Sequence, residues 1–113
     1  RDTGEKSPVP RAEAASRAAA LMGDMQSALL ERARAWRDEM TSRPKGLEEF
    51  KEICGEKGGF LVASWCGSPA CEAAVKEQTT ATIRCLPIEK SGEGTCVVCG
   101  EPAKHVAWFA RAY

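Results

Sequence analysis

Four of the six cysteines in this chain form two close pairs, the pattern in the sequence that most clearly suggests chemistry. Cys66 and Cys71 lie five positions apart, and Cys96 and Cys99 lie three positions apart. Zinc binds thiolate sulfur at about 2.3 Å in tetrahedral geometry, and a Cys-x2-Cys turn brings two sulfurs to the same ion. Because the second pair completes the coordination and leaves no open position, we predict a structural rather than a catalytic zinc site.

A disulfide framework is the main alternative for these cysteines. An even number of cysteines in a short chain is compatible with a secreted, disulfide-bonded fold. Against it, Cys-x2-Cys pairs are typical of metal turns, and a long helical segment without cysteine precedes Cys54. We predict that Cys54 and Cys85 are buried core thiols, with a disulfide between them as the alternative. His105, the only histidine, lies six residues beyond Cys99 and is a less favoured ligand.

The local structure around each pair is expected to favour the thiolate form that zinc binds. Cys71 falls at the third position of a predicted helix, where unpaired N–H groups and the positive end of the helix dipole stabilise negative charge. Gly100 directly follows Cys99, and a positive φ at this glycine would let backbone N–H groups turn toward the sulfurs. We therefore expect backbone donors to spread the negative charge of four thiolates.

The residue pattern argues against catalysis by the chain itself. A nucleophilic cysteine needs a general base, and His105 is the only histidine available. A thioredoxin-like pair is expected at a strand-to-helix turn, whereas Cys96 and Cys99 follow a glycine-rich loop. Residues 92–94 lack the Lys-Ser/Thr ending of a phosphate-binding loop. We predict no catalytic residues, and redox cycling of Cys96 and Cys99 stays open as an alternative.

Length, charge and hydropathy limit what the chain can be. Its 113 residues suit one small domain with an appendage. Sixteen basic and sixteen acidic residues cancel, so no overall field draws the chain to nucleic acid or to an anionic membrane. The longest apolar run is far shorter than the about 20 residues that span a bilayer, which predicts a soluble chain. The first residue is Arg1 rather than methionine, which suggests a longer polypeptide.

A long helix is predicted near the N-terminus. Residues 1–10 are rich in proline, glycine and charge and are expected to form a loop or a short edge strand. From Arg11 to about Thr41 the residues are good helix formers. Apolar side chains recur there at steps of three and four, which places them on one face: Met22, Met25, Leu29, Ala33, Trp36 and Met40. We favour a strut that connects to an upstream domain, with packing inside this domain as the alternative.

Helix and strand signals alternate after this helix, which Pro44 ends. A second helix begins near Leu47 and has Gly55 as its expected C-terminal cap. The remaining predicted elements are a strand at 60–65, a helix from Pro69 to about Gln78, a strand at 79–88 and a strand at 105–113. The order predicts an α/β (α+β) fold, in which the long helix precedes a small two-layer α/β domain with a mixed three- to four-stranded sheet and the four-cysteine zinc site.

Short segments throughout the chain are shared with a known family. They are Glu49-Phe50-Lys51, Gly59-Phe60, Trp65-Cys66-Gly67, Cys71-Glu72, Lys76-Glu77, Ala81-Thr82-Ile83-Arg84-Cys85, Cys96-Val97-Val98-Cys99-Gly100, Pro102-Ala103-Lys104 and Phe109-Ala110-Arg111-Ala112-Tyr113. They resemble the C-terminal zinc-binding domain of prolyl-tRNA synthetases of the archaeal/eukaryotic-like type, which some bacteria also have. Residues 1–6 and 26–34 resemble the end of that family's anticodon-binding domain and its connecting helix. The resemblance implies an anticodon-binding tail at 1–9, a connecting helix at 10–44 and a zinc-binding domain at 45–113.

The resemblance implies an activity that this segment cannot perform alone. The family consists of homodimeric, cytoplasmic class II enzymes that activate proline with ATP and Mg²⁺ and transfer it to tRNA(Pro), without a membrane partner. The class II motifs are absent here, so the segment alone is expected to be inactive, with ATP and Mg²⁺ bound only by the full-length enzyme. The implied ligands of a structural Zn²⁺ are Cys66, Cys71, Cys96 and Cys99. The C-terminal Tyr113 is implied to point toward the active site, and a frayed terminus is the alternative.

A different function class also remains open for the sequence. The chain could be a free-standing zinc-binding module that engages tRNA or a protein partner. An upstream class II core in the same reading frame would remove this alternative.

Overall fold

The computed structural model describes residues 3–88 and 92–112 of the chain. The chain forms two compact units, Arg1–Asp38 and Glu39–Tyr113. A short 3-10 turn at Arg11–Glu13 precedes the regular elements. These are α1 (Ala14–Glu39), β1 (Thr41–Ser42), α2 (Leu47–Glu56), β2 (Phe60–Trp65), α3 (Pro69–Thr79), β3 (Ala81–Cys85) and β4 (His105–Arg111). No helix within the described residues combines the length and the apolar character that crossing a membrane requires.

Helix α1 makes up most of the first unit and is 26 residues long. Its alanine-rich sequence favours helix, but every one of its residues, all of them described, is exposed or half-buried. Met22 and Trp36, on the predicted apolar face, are 72% and 61% exposed. The helix ends before Thr41 because that residue pairs with β2 as part of β1.

The second unit contains a mixed sheet, which confirms the predicted fold class. Within the described residues the sheet has four strands in the order β1-β2-β4-β3. The β1–β2 pair is parallel, and the pairs of β4 with β2 and with β3 are antiparallel. Leu61 pairs with Phe109 and Trp65 pairs with His105, so the end of β2 lies beside the start of β4.

The core of this unit lies between the sheet and the two short helices. Phe50 from α2 and Phe109 from β4 are both fully buried, and their rings meet edge to face with centroids 5.3 Å apart. Leu61 from β2 and Val75 from α3 are each 1% exposed and belong to the same cluster. Burial of these side chains fixes α3, and therefore its first turn, against the sheet.

Gly58 and Gly59 form the turn between α2 and β2, and the prediction that Gly55 is the C-terminal cap of α2 is wrong. Gly55 lies inside α2, which continues to Glu56. Gly58, at φ 66°, donates its N–H to Ile53 O at 2.9 Å, as a left-handed C-terminal cap does. Gly59 has φ 81°, and a β-carbon there would overlap the carbonyl of Met40. That carbonyl accepts the Phe60 N–H at 2.8 Å, so the chain must pass close to it.

The predicted strand at 79–88 is shorter than expected at both ends. Thr79 is the last residue of α3, and its buried hydroxyl donates to Val75 O at 2.7 Å. Thr80 has φ 61°, which ends the helix in the left-handed region. Arg111 donates its Nε to Thr79 O at 3.1 Å, which places a positive charge at the helix C-terminus. The β-branched residues at 79 and 80 therefore serve the helix end rather than the strand.

The prediction that Cys85 is a core thiol is wrong. Alternation along β3 would turn Ala81, Ile83 and Cys85 to the same face. A register shift between Ile83 and Cys85 instead places Cys85 opposite Trp108, and its side chain is exposed. Cys54 is 1% exposed, as predicted. Both are free thiols, so the structure does not contain the alternative Cys54–Cys85 disulfide.

Candidate metal centre

Four cysteine side chains from two loops meet at the end of β2. Among the described residues, Cys66, Cys71, Cys96 and Cys99 place their Sγ atoms within 4.8 Å of one another. Cys66 Sγ lies 3.6 Å from Cys71 Sγ and 3.8 Å from Cys99 Sγ. Four sulfurs bound at about 2.3 Å to one tetrahedral ion would be about 3.8 Å apart. The four sulfur donors and their spacing therefore fit a single metal ion that prefers thiolate ligands.

The helix-end loop (residues 66–71) supplies the first two sulfurs. Cys66 directly follows β2, and Gly67, at φ 87°, turns the chain away from the strand. Cys71 then lies in the first turn of α3 and is 8% exposed. The predicted N-cap Ser68 uses its carbonyl, which accepts the Cys71 N–H at 3.1 Å, and its side chain makes no capping bond. The Nε1–H of Trp65 donates to the same carbonyl at 3.2 Å and ties the loop to β2.

The knuckle loop (residues 92–104) supplies the other two sulfurs. It folds on itself through backbone hydrogen bonds from Cys96 N–H to Glu101 O at 2.7 Å and from Gly100 N–H to Cys96 O at 3.0 Å. A bond from Ala103 N–H to Gly94 O at 3.0 Å closes its base. Gly100 has φ 74°, the conformation expected from its place after Cys99.

Strand β2 holds the knuckle loop beside the helix-end loop. Val97 N–H donates to Ser64 O at 3.0 Å, and Lys104 N–H donates to Trp65 O at 3.0 Å. The hydroxyl of Ser64 donates to Glu93 O at 2.7 Å. Val97 is 9% exposed and packs into the core cluster. Hydrogen bonds to β2 thus help to set where Cys96 lies relative to Cys66.

Gly92 lets the start of the knuckle loop pass against its end. Its N–H donates to Lys104 O at 3.0 Å. A β-carbon at this position would overlap the backbone of Ala103, Lys104 and His105. Sequence analysis identified Gly92 only as part of a glycine-rich loop, because a close approach between residues twelve positions apart leaves no local signal.

The two buried cysteines of the cluster have opposite electrostatic environments. Burial, with a hydrogen bond to Cys66, raises the pKa of the Cys71 thiol to about 12. Burial also opposes ionisation of Cys96, but hydrogen bonds from the backbone N–H groups of Cys99, Val98 and Cys66 outweigh it and lower its pKa to about 7. The expected advantage of the helix N-terminus for the Cys71 thiolate is therefore outweighed by burial, whereas backbone donors favour the thiolate at Cys96 as expected.

His105, the less favoured candidate ligand, is not among the four clustered side chains. His105 is exposed, and its ring lies at an angle of 38° to that of Trp65, with centroids 5.7 Å apart. Its Cδ2 atom would be 3.5 Å from a β-carbon on Gly67, so the imidazole borders the helix-end loop. Tyr113, the implied active-site residue, lies outside the described residues. Sequence analysis also missed Ser64 and Glu93, whose contact depends on the tertiary arrangement of β2 and the knuckle loop.

Comparison with known proteins places the chain in a family. The family model for the C-terminal region of prolyl-tRNA synthetase matches residues 47–113. Proline–tRNA ligases from Rubrobacter xylanophilus and Oceanobacillus iheyensis are 52% and 50% identical to the chain over all of its length. The chain spans about a quarter of these relatives, 23% and 24% of their lengths.

A solved structure has the same fold. It is the crystal structure of prolyl-tRNA synthetase from Cryptosporidium parvum complexed with halofuginone and AMPPNP, with a TM-score of 0.82 and 28% sequence identity. The match covers 100% of this chain and 25% of that one. Together with the family model and the bacterial relatives, it shows that this chain belongs to the prolyl-tRNA synthetase family and corresponds to its C-terminal part.

Proposed function

We propose that the chain is the C-terminal module of a proline–tRNA ligase and that its four clustered cysteines hold a structural zinc ion. The observation that carries the proposal is the near-tetrahedral spacing of the sulfurs within the segment that the family model matches. A set of four thiolates suits zinc and leaves no position for a substrate. The module therefore contributes shape rather than chemistry.

The residues of the site have separate roles in this proposal. When bound, zinc would cross-link the helix-end loop and the knuckle loop. Cys71 anchors the site to α3 and to the core behind it, while Cys96 arrives already favoured as a thiolate by the knuckle N–H groups. Cys66 and Cys99 complete the set from the more accessible side. The hydrogen bonds to β2 pre-position the loop, which lowers the entropy that metal binding must overcome.

The activity itself belongs to the longer polypeptide in this proposal. That protein would be a cytoplasmic homodimer that uses ATP and Mg²⁺ to attach proline to tRNA(Pro), and the chain alone would be inactive. Residues 1–9 would end an anticodon-binding domain, 10–44 would form the connecting helix, and 45–113 would be the zinc-binding domain. The support is the match of the whole chain to about a quarter of each relative.

Metal content tests the zinc site. We expect about one zinc per chain after purification under reducing conditions, measured by plasma mass spectrometry. Cys99→Ser should lose this zinc because only three sulfurs remain. Cys85→Ser is the matched control, since Cys85 is also exposed but lies outside the cluster, and it should keep the metal. A folded wild-type chain that stays metal-free in the presence of zinc would contradict the proposal.

Aminoacylation by the longer polypeptide tests the family assignment of the activity. We expect that protein to charge tRNA(Pro), and we expect removal of Tyr113 to lower turnover more than it lowers the thermal midpoint. Charging rates and melting curves of the same two samples decide the point. Unchanged turnover without Tyr113 would rule out a role for this residue near the active site.

A further inference from the structure

The four sulfurs of the cluster differ sharply in their access to solvent. Cys99 is exposed and Cys66 is half-buried, whereas Cys71 and Cys96 are 8% and 3% exposed. Oxidants in solution react fastest with accessible sulfur of thiolate character. Attack on the cluster is therefore expected to begin at Cys99.

We propose that Cys99 is a site of oxidation by hydroperoxides and that the product is a Cys66–Cys99 disulfide, whose formation releases the metal. The inference rests on the proposed zinc site, because metal binding keeps these sulfurs as thiolates. Cys66 Sγ lies 3.8 Å from Cys99 Sγ, so a modest movement reaches the about 2.05 Å of a disulfide. Cys66 is thus placed to resolve an oxidised Cys99.

The chemistry balances with one hydroperoxide and two protons. The Cys99 thiolate attacks the terminal peroxide oxygen and the O–O bond breaks. The departing hydroxide, or alkoxide when the oxidant is an organic hydroperoxide, takes a proton to become water or an alcohol. The sulfenic acid on Cys99 is then attacked by the Cys66 thiolate, which forms the S–S bond and breaks the S–O bond. The second hydroxide also leaves as water. The two sulfurs have lost two electrons to the peroxide, and only Cys71 and Cys96 remain as ligands.

The competing disulfides involve a buried sulfur or do not join the two loops. Cys71 Sγ is 3.6 Å from Cys66 Sγ, but Cys71 is buried in the first turn of α3, so oxidation does not start there. A Cys66–Cys71 or a Cys96–Cys99 bond would lie within one loop. The Cys66–Cys99 bond instead joins the helix-end loop to the knuckle loop, the same two segments that the metal joins. Oxidation would therefore exchange one cross-link for another.

This exchange predicts reversibility. With the knuckle loop still attached to β2 through Val97 and Lys104, reduction of the disulfide returns both sulfurs to their places. A thiol reductant together with zinc should then restore the original site. The cluster would act as an oxidant-responsive cross-link.

Peroxide treatment of the zinc-loaded 113-residue chain tests the inference. Zinc is measured before treatment, its release is followed with a chromophoric chelator, and disulfides are mapped by mass spectrometry of non-reduced peptides. We expect release of one zinc for each Cys66–Cys99 disulfide formed, and full zinc rebinding after reduction. Cys85 serves as an internal measure of exposure, and Cys85→Ser should release zinc as the wild type does.

The outcomes separate this inference from the proposed function. A chain without zinc before treatment would overturn both. A zinc-loaded chain that forms mainly Cys66–Cys71 or Cys96–Cys99 would overturn the inference and leave the zinc site in place. So would retention of zinc at peroxide concentrations that fully oxidise Cys85 in the same sample. The peptide map of the wild type decides the pairing even if Cys99→Ser does not fold.

Discussion

The two loops of the cysteine cluster reach the same point in space by different means. The helix-end loop is an extension of the packed core, since Cys71 shares α3 with the buried Val75. The knuckle loop depends mainly on backbone hydrogen bonds, both within itself and to β2. Burial raises the pKa of Cys71 to about 12, while backbone N–H groups lower that of Cys96 to about 7. The comparison teaches that burial in the core positions a sulfur but disfavours its thiolate form, whereas directed backbone donors favour that form.

Metal removal should produce the largest difference between the knuckle loop and the packed core. If free zinc stands about 1,000-fold above its dissociation constant, its loss lowers the free energy of unfolding by about 4 kcal/mol. We expect hydrogen exchange of the metal-free chain to accelerate at the Cys96 and Val97 amides in the knuckle loop. The amides of Leu61 and Phe109 in the paired strands should stay protected, because the core does not include the ion. Equal acceleration in both regions would show that the loops are not independent.

Truncation of a core side chain should lower the stability of the fold much more than it weakens zinc binding. Val75→Ala removes buried apolar volume behind Cys71, and we expect it to lower the free energy of unfolding by about 2 kcal/mol. Zinc affinity of the folded chain should change much less, because the backbone bonds of the knuckle loop are untouched. Denaturant unfolding and a competitive zinc titration measure the two quantities. A loss of affinity as large as the loss of stability would mean that the core tunes the site directly.

A substitution at Gly92, in the knuckle loop, should instead appear mainly as weaker zinc binding. Gly92→Ala forces a β-carbon against the backbone at residues 103–105, which we expect to cost about 1 to 2 kcal/mol. The same competitive titration should show the cost mainly as weaker zinc binding, since the knuckle loop must shift. Gly55→Ala is the matched control: it lies inside α2 with open space around it, and alanine there should be neutral or stabilising. Zinc binding unaffected by Gly92→Ala would remove the role given to this close approach.

The pH dependence of zinc binding should report both thiols. Zinc must displace the proton of Cys71 at any pH below about 12, and below about pH 7 it must also displace that of Cys96. Affinity should therefore rise by at least about tenfold, or about 1.4 kcal/mol, for each pH unit between about 7 and 9. It should fall more steeply from about pH 7 to 6. Titrations in the presence of a competing chelator at each pH measure this slope, and a flat profile would contradict the raised pKa of Cys71.

Features written in local sequence were predictable, and features that depend on tertiary structure were not. The bounds of β2 and the start of α3 follow from a continuous apolar run and from the Ser68-Pro69 signal. The clustering of the four cysteines also follows from their spacing and types. The exposure of Cys85 depends on a bulge against Trp108, which strand alternation cannot indicate.

The electrostatic error at Cys71 has a similar origin. Its place in the first turn of a helix was correctly predicted, and the helix dipole does favour a thiolate there. Burial against the sheet outweighs that effect, and burial is a property of the packed unit rather than of the local sequence. The short strand β1 was missed because two residues beyond a long helix carry no periodic pattern.

The position of the cluster beside the β2–β4 pair affects how the sheet closes. Trp65 and His105, about 40 positions apart in the chain, are direct partners in the sheet. Cys66 adjoins the first of them, and Cys99 lies a few residues before the second. An ion bound by both cysteines would shorten the segment that closes when this strand pair forms from about 40 residues to about seven, which would lower the entropic cost of closure by about 1.5 kcal/mol. In the proposed zinc-bound chain, the cluster would therefore also make a long-range strand pairing nearly local during folding.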